Sequence, residues 1–459
     1  MNRKFNTIDY EWLTRPTGDP FADTGGYVIQ YLWEKFPDKD IDWLIEYVTK
    51  IYVNDWEKTI YFFFPNSPMI NNASKHPAND TIANYLELLN DNKGNKDFCR
   101  ITGRKTMVYK TFKDKYILAG SGKFSNFHHA FNNGLLFSKE IIIRLLFVPL
   151  GVLKIGKYMG LVHSNNAIVL QYLVENNIKL NLHNIATGFS KEIAEADHNI
   201  ATNSIFAYAN KCIDNLKIVQ DETKAISISL YHFTNYNQGP ALDLYKLPSK
   251  LFAVYRFWEL KHKKDWKTFI NRHYYKRDAR FDHLKGYYKI DNKEKSEIYK
   301  YNDFSKWYNP ILVKLINNES IIPEFKKWSK NYNKLHFDII RSYEQNIRYM
   351  KKETIDKVLE LADFIIVGRN ENEIKKLITA LEGKEKGYDL RRVLMKLNKE
   401  NYLKGNEEPL ISVKDYTEYL FSDNVNPREI RDLLIIAIFQ KLIENNIKLE
   451  VEIEDNVEL

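Results

Sequence analysis

Two places in this 459-residue sequence set acids or histidines closely enough to suggest chemistry. The stretch TGDPFADTGGYVI, residues 17–29, holds Asp19 and Asp23 among three glycines, and SNFHHAFNNG, residues 125–134, holds the pair His128-His129. A phosphate-cradling Walker loop needs a lysine beside a hydroxyl residue after its glycines, and a dinucleotide loop needs three glycines at fixed spacing. Neither pattern is present, and two carboxylates would repel a phosphate. The bland reading is a capped helix, with Asp19 at the N-cap, Pro20 in the first turn, and Gly25-Gly26 slim enough for close packing. Asp19, Asp23, His128 and His129 would make a divalent-metal nuclease or RNA-processing site only if the fold gathered them across more than 100 positions. No HExxH accompanies them, and oxygen ligation of a divalent ion needs more convergent ligands than one loop offers. His163, in GLVHSNN, reads as a loop or core histidine, and spacing assigns no Ser-His-Asp or Cys-His grouping. No catalytic constellation is expected.

The basic clusters carry more information. Between residues 261 and 289 stand ten Lys or Arg, including Lys261, Lys263, Lys264, Lys267, Arg272, Lys276, Arg277 and Arg280, against three acids. Trp266, Phe269, Tyr274, Tyr275, Phe281, Tyr287 and Tyr288 are interleaved with them. Cations neutralise phosphates with release of counterions, and planar rings can stack on exposed bases, so this pattern points to nucleic acid. A second cluster, Arg104, Lys105, Lys110, Lys113, Lys115 and Lys123, surrounds the single acid Asp114 and leads to Asn126. It reads as a basic loop able to lie on a duplex backbone. A solvated basic face is the competing reading for both.

The elements that must hold these residues belong to an α+β chain of two or three domains. Apolar residues make up 44% of the sequence, which is ample for folded cores, and the net charge of +8 is unevenly spread. Cys99 and Cys212 are too few for a disulfide framework or thiolate cage and suit a reducing cytoplasm. The start, MNRKFNTIDYEWL, lacks the apolar heart of a signal peptide. The apolar run IIIRLLFVPLGVL, residues 141–153, is shorter than the roughly 20 residues of a membrane span and is broken by Arg144 and Pro149, so it is expected to be buried core.

Helical spacing is expected over residues 19–36, 41–53, 80–89 and 165–175. KTIYFFF, residues 58–64, reads as a buried strand, GVLKIGKYMGLVHS, residues 151–164, as a loop, and residues 224–247 as β structure with a turn at Asn237-Gln238-Gly239-Pro240. Beyond residue 249 helices are expected to dominate, and the last ten residues form an acidic end. A boundary is placed at 333/334, separating a mixed domain, 1–333, from a helical bundle, 334–459.

Several segments, taken in order, resemble one family. TGDPFADTGGYVI, FCRITG (98–103), GSGKFSNFHHAFNNG (120–134), FVPLG (147–151), LVHSNN (161–166) and FTNYNQGPALDLYKLP (233–248) are similar to the large subunit of type I-B CRISPR Cascade complexes, the Cas-eight group in its tetani-subtype branch. The resemblance implies a non-catalytic assembly subunit without a cofactor. Such a subunit recognises the protospacer-adjacent motif in target double-stranded DNA, assists duplex opening and R-loop formation, and recruits a separate helicase-nuclease. Its implied partners are crRNA, Cascade backbone subunits and the small subunit, which the helical C-terminal part resembles. A separately translated product could start at Met350. Guide pairing supplies most of the sequence information in such systems, so the protein needs basic grooves and partner surfaces rather than catalytic groups. On this reading the 104–123 cluster and Asn126 lie near the duplex, and the 261–280 cations follow a strand. Many relatives carry two cysteine pairs resembling a zinc site, whereas here only Cys99 remains, with Thr102 where its partner would fall. One thiolate does not hold structural zinc, so packing is expected to replace metal there. The metal-dependent enzyme and a general nucleic-acid-binding scaffold stay open as alternatives.

Overall fold

Asp19 caps the first helix as its position predicts, its side chain accepting from the Ala22 amide at 2.8 Å. The computed structural model describes residues 4–449 except 66, 71–73, 118, 120–132, 190, 222–224, 237–238, 292–295, 332, 383–386 and 424. Lys123, Asn126, His128, His129, part of the 237–240 turn and the acidic end therefore lie outside the described residues. The architecture is α+β, in two compact units: Met1–Phe252 with Asn302–Tyr308, and Ala253–Tyr301 with Asn309–Leu459.

The first unit begins with α1 (Pro20–Lys35), α2 (Ile41–Asn54), α3 (Glu57–Ile60) and α4 (Pro77–Asn90). An antiparallel sheet of β1 (Asn95–Phe98), β2 (Lys105–Thr111) and β3 (Leu135–Ser138) leads into α5 (Lys139–Phe147). A second antiparallel sheet has the order β4 (Leu153–Ile155), β5 (Tyr158–Ser164), β6 (Ile228–Thr234), β7 (Ala241–Leu247), and the connection from β5 to β6 carries α6 (Ala167–Thr187) and α7 (Ala201–Asn215). The core is built on α5, the front of the apolar run, all nine residues of which are buried. Its three charges are each answered. Lys139 donates to the Asp91 carbonyl at 2.6 Å, Glu140 accepts from the Asp9 amide at 3.1 Å, and Arg144 meets Asp23. Asn177 and Asn181 of α6 donate to the carbonyls of residues 150–152, fixing the turn after α5.

Two local expectations fail in this unit. KTIYFFF forms α3 and a turn rather than a strand, because a short apolar run without alternation is equally compatible with a buried helical segment. GVLKIGKYMGLVHS is not a loop but includes the β4–β5 hairpin, with Ile155 paired to Tyr158. Its two-residue turn is permitted by Gly156 at φ 59°, and a Cβ there would meet the Asn199 carbonyl at 2.7 Å.

The second unit continues through α8 (Ser249–Lys261) and α9 (Lys263–Asn271) to a three-stranded antiparallel sheet, β8 (Ala279–Asp282), β9 (Tyr287–Asp291) and β10 (Ser296–Tyr299), with β9 central. Helical expectation missed this sheet. Asp278 at φ 63° and Gly286 at φ 68° end helical propagation on either side of β8. The chain returns to the first unit over Asn302–Tyr308, which holds most of α10 (Tyr301–Phe304), and the second unit resumes with α11 (Pro310–Ile316), α12 (Ile322–Lys330), α13 (Phe337–Asn346), α14 (Lys352–Ile366), α15 (Glu371–Glu382), α16 (Gly387–Leu403) and α17 (Pro427–Glu444).

Helix α17 is the axis of the second unit. Every residue from Ile430 to Phe439 is buried, and it packs against α12, α14, α15 and α16. Ion pairs Lys326–Asp432 at 2.9 Å and Arg348–Glu429 at 2.8 Å fasten it to α12 and to the end of α13. The anticipated 333/334 boundary thus falls inside a compact unit, since α12 covers α17 from before it. A chain beginning at Met350 would lack both α12 and α13.

Candidate nucleic-acid interface

Among the first cluster, Lys105 and Lys110 belong to the central strand of a sheet rather than to a loop. Five residues apart on a strand, they project to opposite faces. Lys110 donates to Asn133 at 3.1 Å, and Arg104 sits 4.3 Å over the Trp12 ring with a 3.3 Å approach to Asp9. Lys113 and Lys115 are half-buried. Lys115 and Asp114 line a cavity of about 410 Å³ with Thr81, Asn84, Tyr85 and Glu87, and burial holds the Asp114 carboxyl above the usual carboxylate range. The described members of this cluster therefore do not form one continuous cationic surface.

The acids of residues 17–29 are committed to structure. Asp23 accepts from the Thr17 amide and hydroxyl, both at 2.7 Å, from the Gly18 amide at 2.9 Å, and from Arg144 at 2.9 Å. Asp19 also accepts from the Tyr116 hydroxyl at 3.2 Å, and its burial raises its pKa. His163 lies on β5 with its pKa lowered by burial. Cys99 is buried among apolar residues, and among the described residues no set of metal ligands surrounds it.

In the second unit, Lys261, Lys263, Lys264 and Lys267 are exposed at the α8–α9 junction and along α9, while Lys276, Arg277 and Arg280 are exposed at the start of the small sheet. Arg280 is directly paired with Lys289 across β8 and β9. Like charges so placed repel, and Asp291, 2.7 Å from Lys289 and also within the field of Arg280, offsets part of that repulsion. Arg272 is engaged within the protein instead. Its guanidinium lies 4.5 Å over the Trp328 ring and 2.6 Å from His283, and burial lowers its pKa to about 10.

Most of the interleaved rings are core. Trp266, Phe269, Tyr274 and Tyr288 are buried, and Trp266 packs 4.3 Å from Trp258 while Phe269 packs 4.9 Å from Phe325. Of the seven aromatics in that window, Tyr275 is the one that is exposed, so stacking capacity there is much smaller than the residue count implied.

A denser surface lies on α16, which reading by charge clusters passed over. Leu390, Val393, Leu394, Leu397 and Asn401 form the buried stripe. The opposite face exposes Tyr388, Arg391, Arg392, Met395, Lys396, Lys399 and Tyr402. With Tyr416 from the neighbouring π-helical segment Asp415–Leu420, the first six of these line an open groove of about 490 Å³ with no carboxylate among its described lining residues. Arg391 is steadied over the Phe421 ring at 4.9 Å, and Glu400 is occupied by Arg369 at 2.7 Å. Arg392 and Lys396, four apart, and Lys396 and Lys399, three apart, are like-charged helix neighbours, each pair costing about 0.2–0.5 kcal/mol. A polyanion in the groove would relieve that repulsion, and the tyrosines offer planar faces for bases. The helical spacing of YDLRRVLMKLNKENYL contained this signal once the polar face was projected.

Among the described residues no helix is long and apolar enough to cross a membrane. No curated protein matches the chain. Residues 325–458, from within α12 through α17 to the C-terminal end, match the model of a protein family described as the DevT C-terminal domain.

Proposed function

We propose that the protein is the large subunit of a crRNA-guided type I-B Cascade complex. In this reading it is non-catalytic, recognises the protospacer-adjacent motif in target DNA through its first unit, helps open the duplex into an R-loop, and recruits a helicase-nuclease. The observation that carries the reading is the family match over residues 325–458, because DevT names a Cas-eight-like component of type I-B Cascade. The basic groove of α16, whose described lining residues include no acid, lies within the matched segment and supports a path for a nucleic-acid strand. Engagement of Asp23 by Arg144 weighs against a metal-dependent nuclease built on that acid.

The reading is tested by tag-free co-expression with the neighbouring genes: the chain should purify with a backbone filament and crRNA, and lose target binding when the guide is absent. Guide-independent binding equal to that of the complex would favour the general scaffold, and magnesium-dependent cleavage by the chain alone would favour the enzyme. Replacing Arg391, Arg392, Lys396 and Lys399 together by alanine is expected to weaken binding to single-stranded DNA roughly 10–100-fold across sequences. The slope of log affinity against log salt should flatten by roughly 0.7 for each phosphate that is no longer neutralised. Fluorescence anisotropy over a salt series measures both.

A further inference from the structure

Apart from the basic faces, one group of side chains joins metal-ligand chemistries. His262 lies between α8 and α9, while His336 precedes α13 and Asp338 occupies its first turn. One ligand atom from each residue lies within 4.8 Å of the other two. We propose that His262, His336 and Asp338 form a site for a divalent transition metal of the zinc class, independent of the Cascade reading.

The geometry is near that of a coordinated set. His262 Nε2 is 3.8 Å and His336 Nδ1 is 3.5 Å from the same Asp338 oxygen. Ligands held at about 2.0–2.2 Å around a tetrahedral zinc ion stand roughly 3.3–3.5 Å apart, so the two nitrogen-to-carboxylate separations need to shorten by at most a few tenths of an ångström, and the two imidazole nitrogens start within 4.8 Å of each other. The backbone frame is already fixed. The His336 amide donates to Asp265 at 2.9 Å, and Asp265 follows His262 by three residues in the first turn of α9. The two imidazole rings lie 4.3 Å apart between centroids, 33° from parallel.

One existing hydrogen bond competes. His336 Nδ1 accepts from the Asp338 amide at 3.3 Å, at the long end of hydrogen bonding, so its displacement by a metal costs little. Two imidazoles and one carboxylate favour zinc, cobalt, nickel or copper over magnesium or calcium, which prefer all-oxygen sets. His336 and Asp338 are about half exposed, leaving a fourth position for water. Bound metal would pin the α8–α9 junction to the head of α13.

The test uses the tag-free, full-length chain after chelator treatment. Titration with cobalt(II) should produce visible absorption bands saturating at one equivalent, zinc should displace them, and zinc should raise the unfolding midpoint. Asp338→Asn, which preserves shape, and His336→Ala should each abolish the bands while unfolding as the parent does in chelator. Absence of saturable bands in the parent would overturn the proposal, as would both variants binding like the parent.

Discussion

Replacing Gly25 by alanine, whose added Cβ would make the closest contact of any described glycine, is expected to destabilise the first unit by about 4 kcal/mol or more. An added Cβ would lie 2.0 Å from the Arg144 carbonyl oxygen and 2.7 Å from its carbon. Both atoms belong to the backbone of a helix whose every residue is buried, so neither has room to yield. Separating α1 from α5 would also break the 2.9 Å pair of Asp23 with Arg144, whose side chains are 4% and 1% exposed. Arg144 additionally donates to the carbonyls of Ala22 at 2.6 Å and Arg15 at 2.7 Å, bonds that only close approach permits. Loss of the partner to a buried charge costs about 3–5 kcal/mol, more than overpacking alone. Asp23→Asn should therefore reach a similar loss by removing the charge without adding bulk. Gly239→Ala, in open space, is the control and should change the denaturant midpoint little. A Gly25→Ala protein as stable as the control would refute this account.

This same region shows what a sequence exposes and what it hides. The cap at Asp19 and the slim Gly25-Gly26 pair were legible because both are local: a turn residue before Pro20, and two residues without side chains on one helix. The role of Asp23 was not, since its partner Arg144 is 121 positions away and reads in isolation as an interruption of an apolar run. Distance in sequence likewise separates His262 from His336. The basic window misled for a different reason. Trp266 and Phe269 stand beside lysines in sequence, but a helix turns neighbours to different faces, so Lys267 is exposed while both rings enter the core. On α16 the same periodicity gathers cations and tyrosines on one face. The α+β character and the late helices follow from periodicity, whereas the small sheet depends on backbone reversals at Asp278 and Gly286 that charge counting does not register.

The second large effect concerns pH and lies within the matched helical segment. Glu344 on α13 is completely buried, and neither carboxylate oxygen has a hydrogen-bond partner among the described residues. Burial, with the Glu429 carboxylate as the second cause, pushes its pKa up to about 8 from 4.5, while Arg348 acts in the opposite direction. Because the folded value exceeds the unfolded one, the neutral acid is the form that folding favours. Its contribution is complete below about pH 4.5 and is lost as pH rises to about 8. At roughly 1.4 kcal/mol per pH unit, the full cost across this window is on the order of 5 kcal/mol. Glu344→Gln keeps the shape of the neutral acid and cannot ionise. It should match the parent near pH 4.5 and exceed it progressively up to pH 8, beyond which the gap levels off. Denaturant midpoints of both proteins at several pH values measure that gap, and a gap constant with pH would contradict the assignment. The neighbouring pair links this charge to architecture: Arg348 donates to Glu429 through both Nε and Nη2, at 3.1 and 2.8 Å, where α17 begins. Ionised Glu344 would repel Glu429 and compete for Arg348, so alkaline pH should loosen the end of α13 from α17 first. Amide exchange at residues 344–350 is accordingly expected to accelerate above pH 8 beyond the intrinsic rate in the parent, and not in Glu344→Gln.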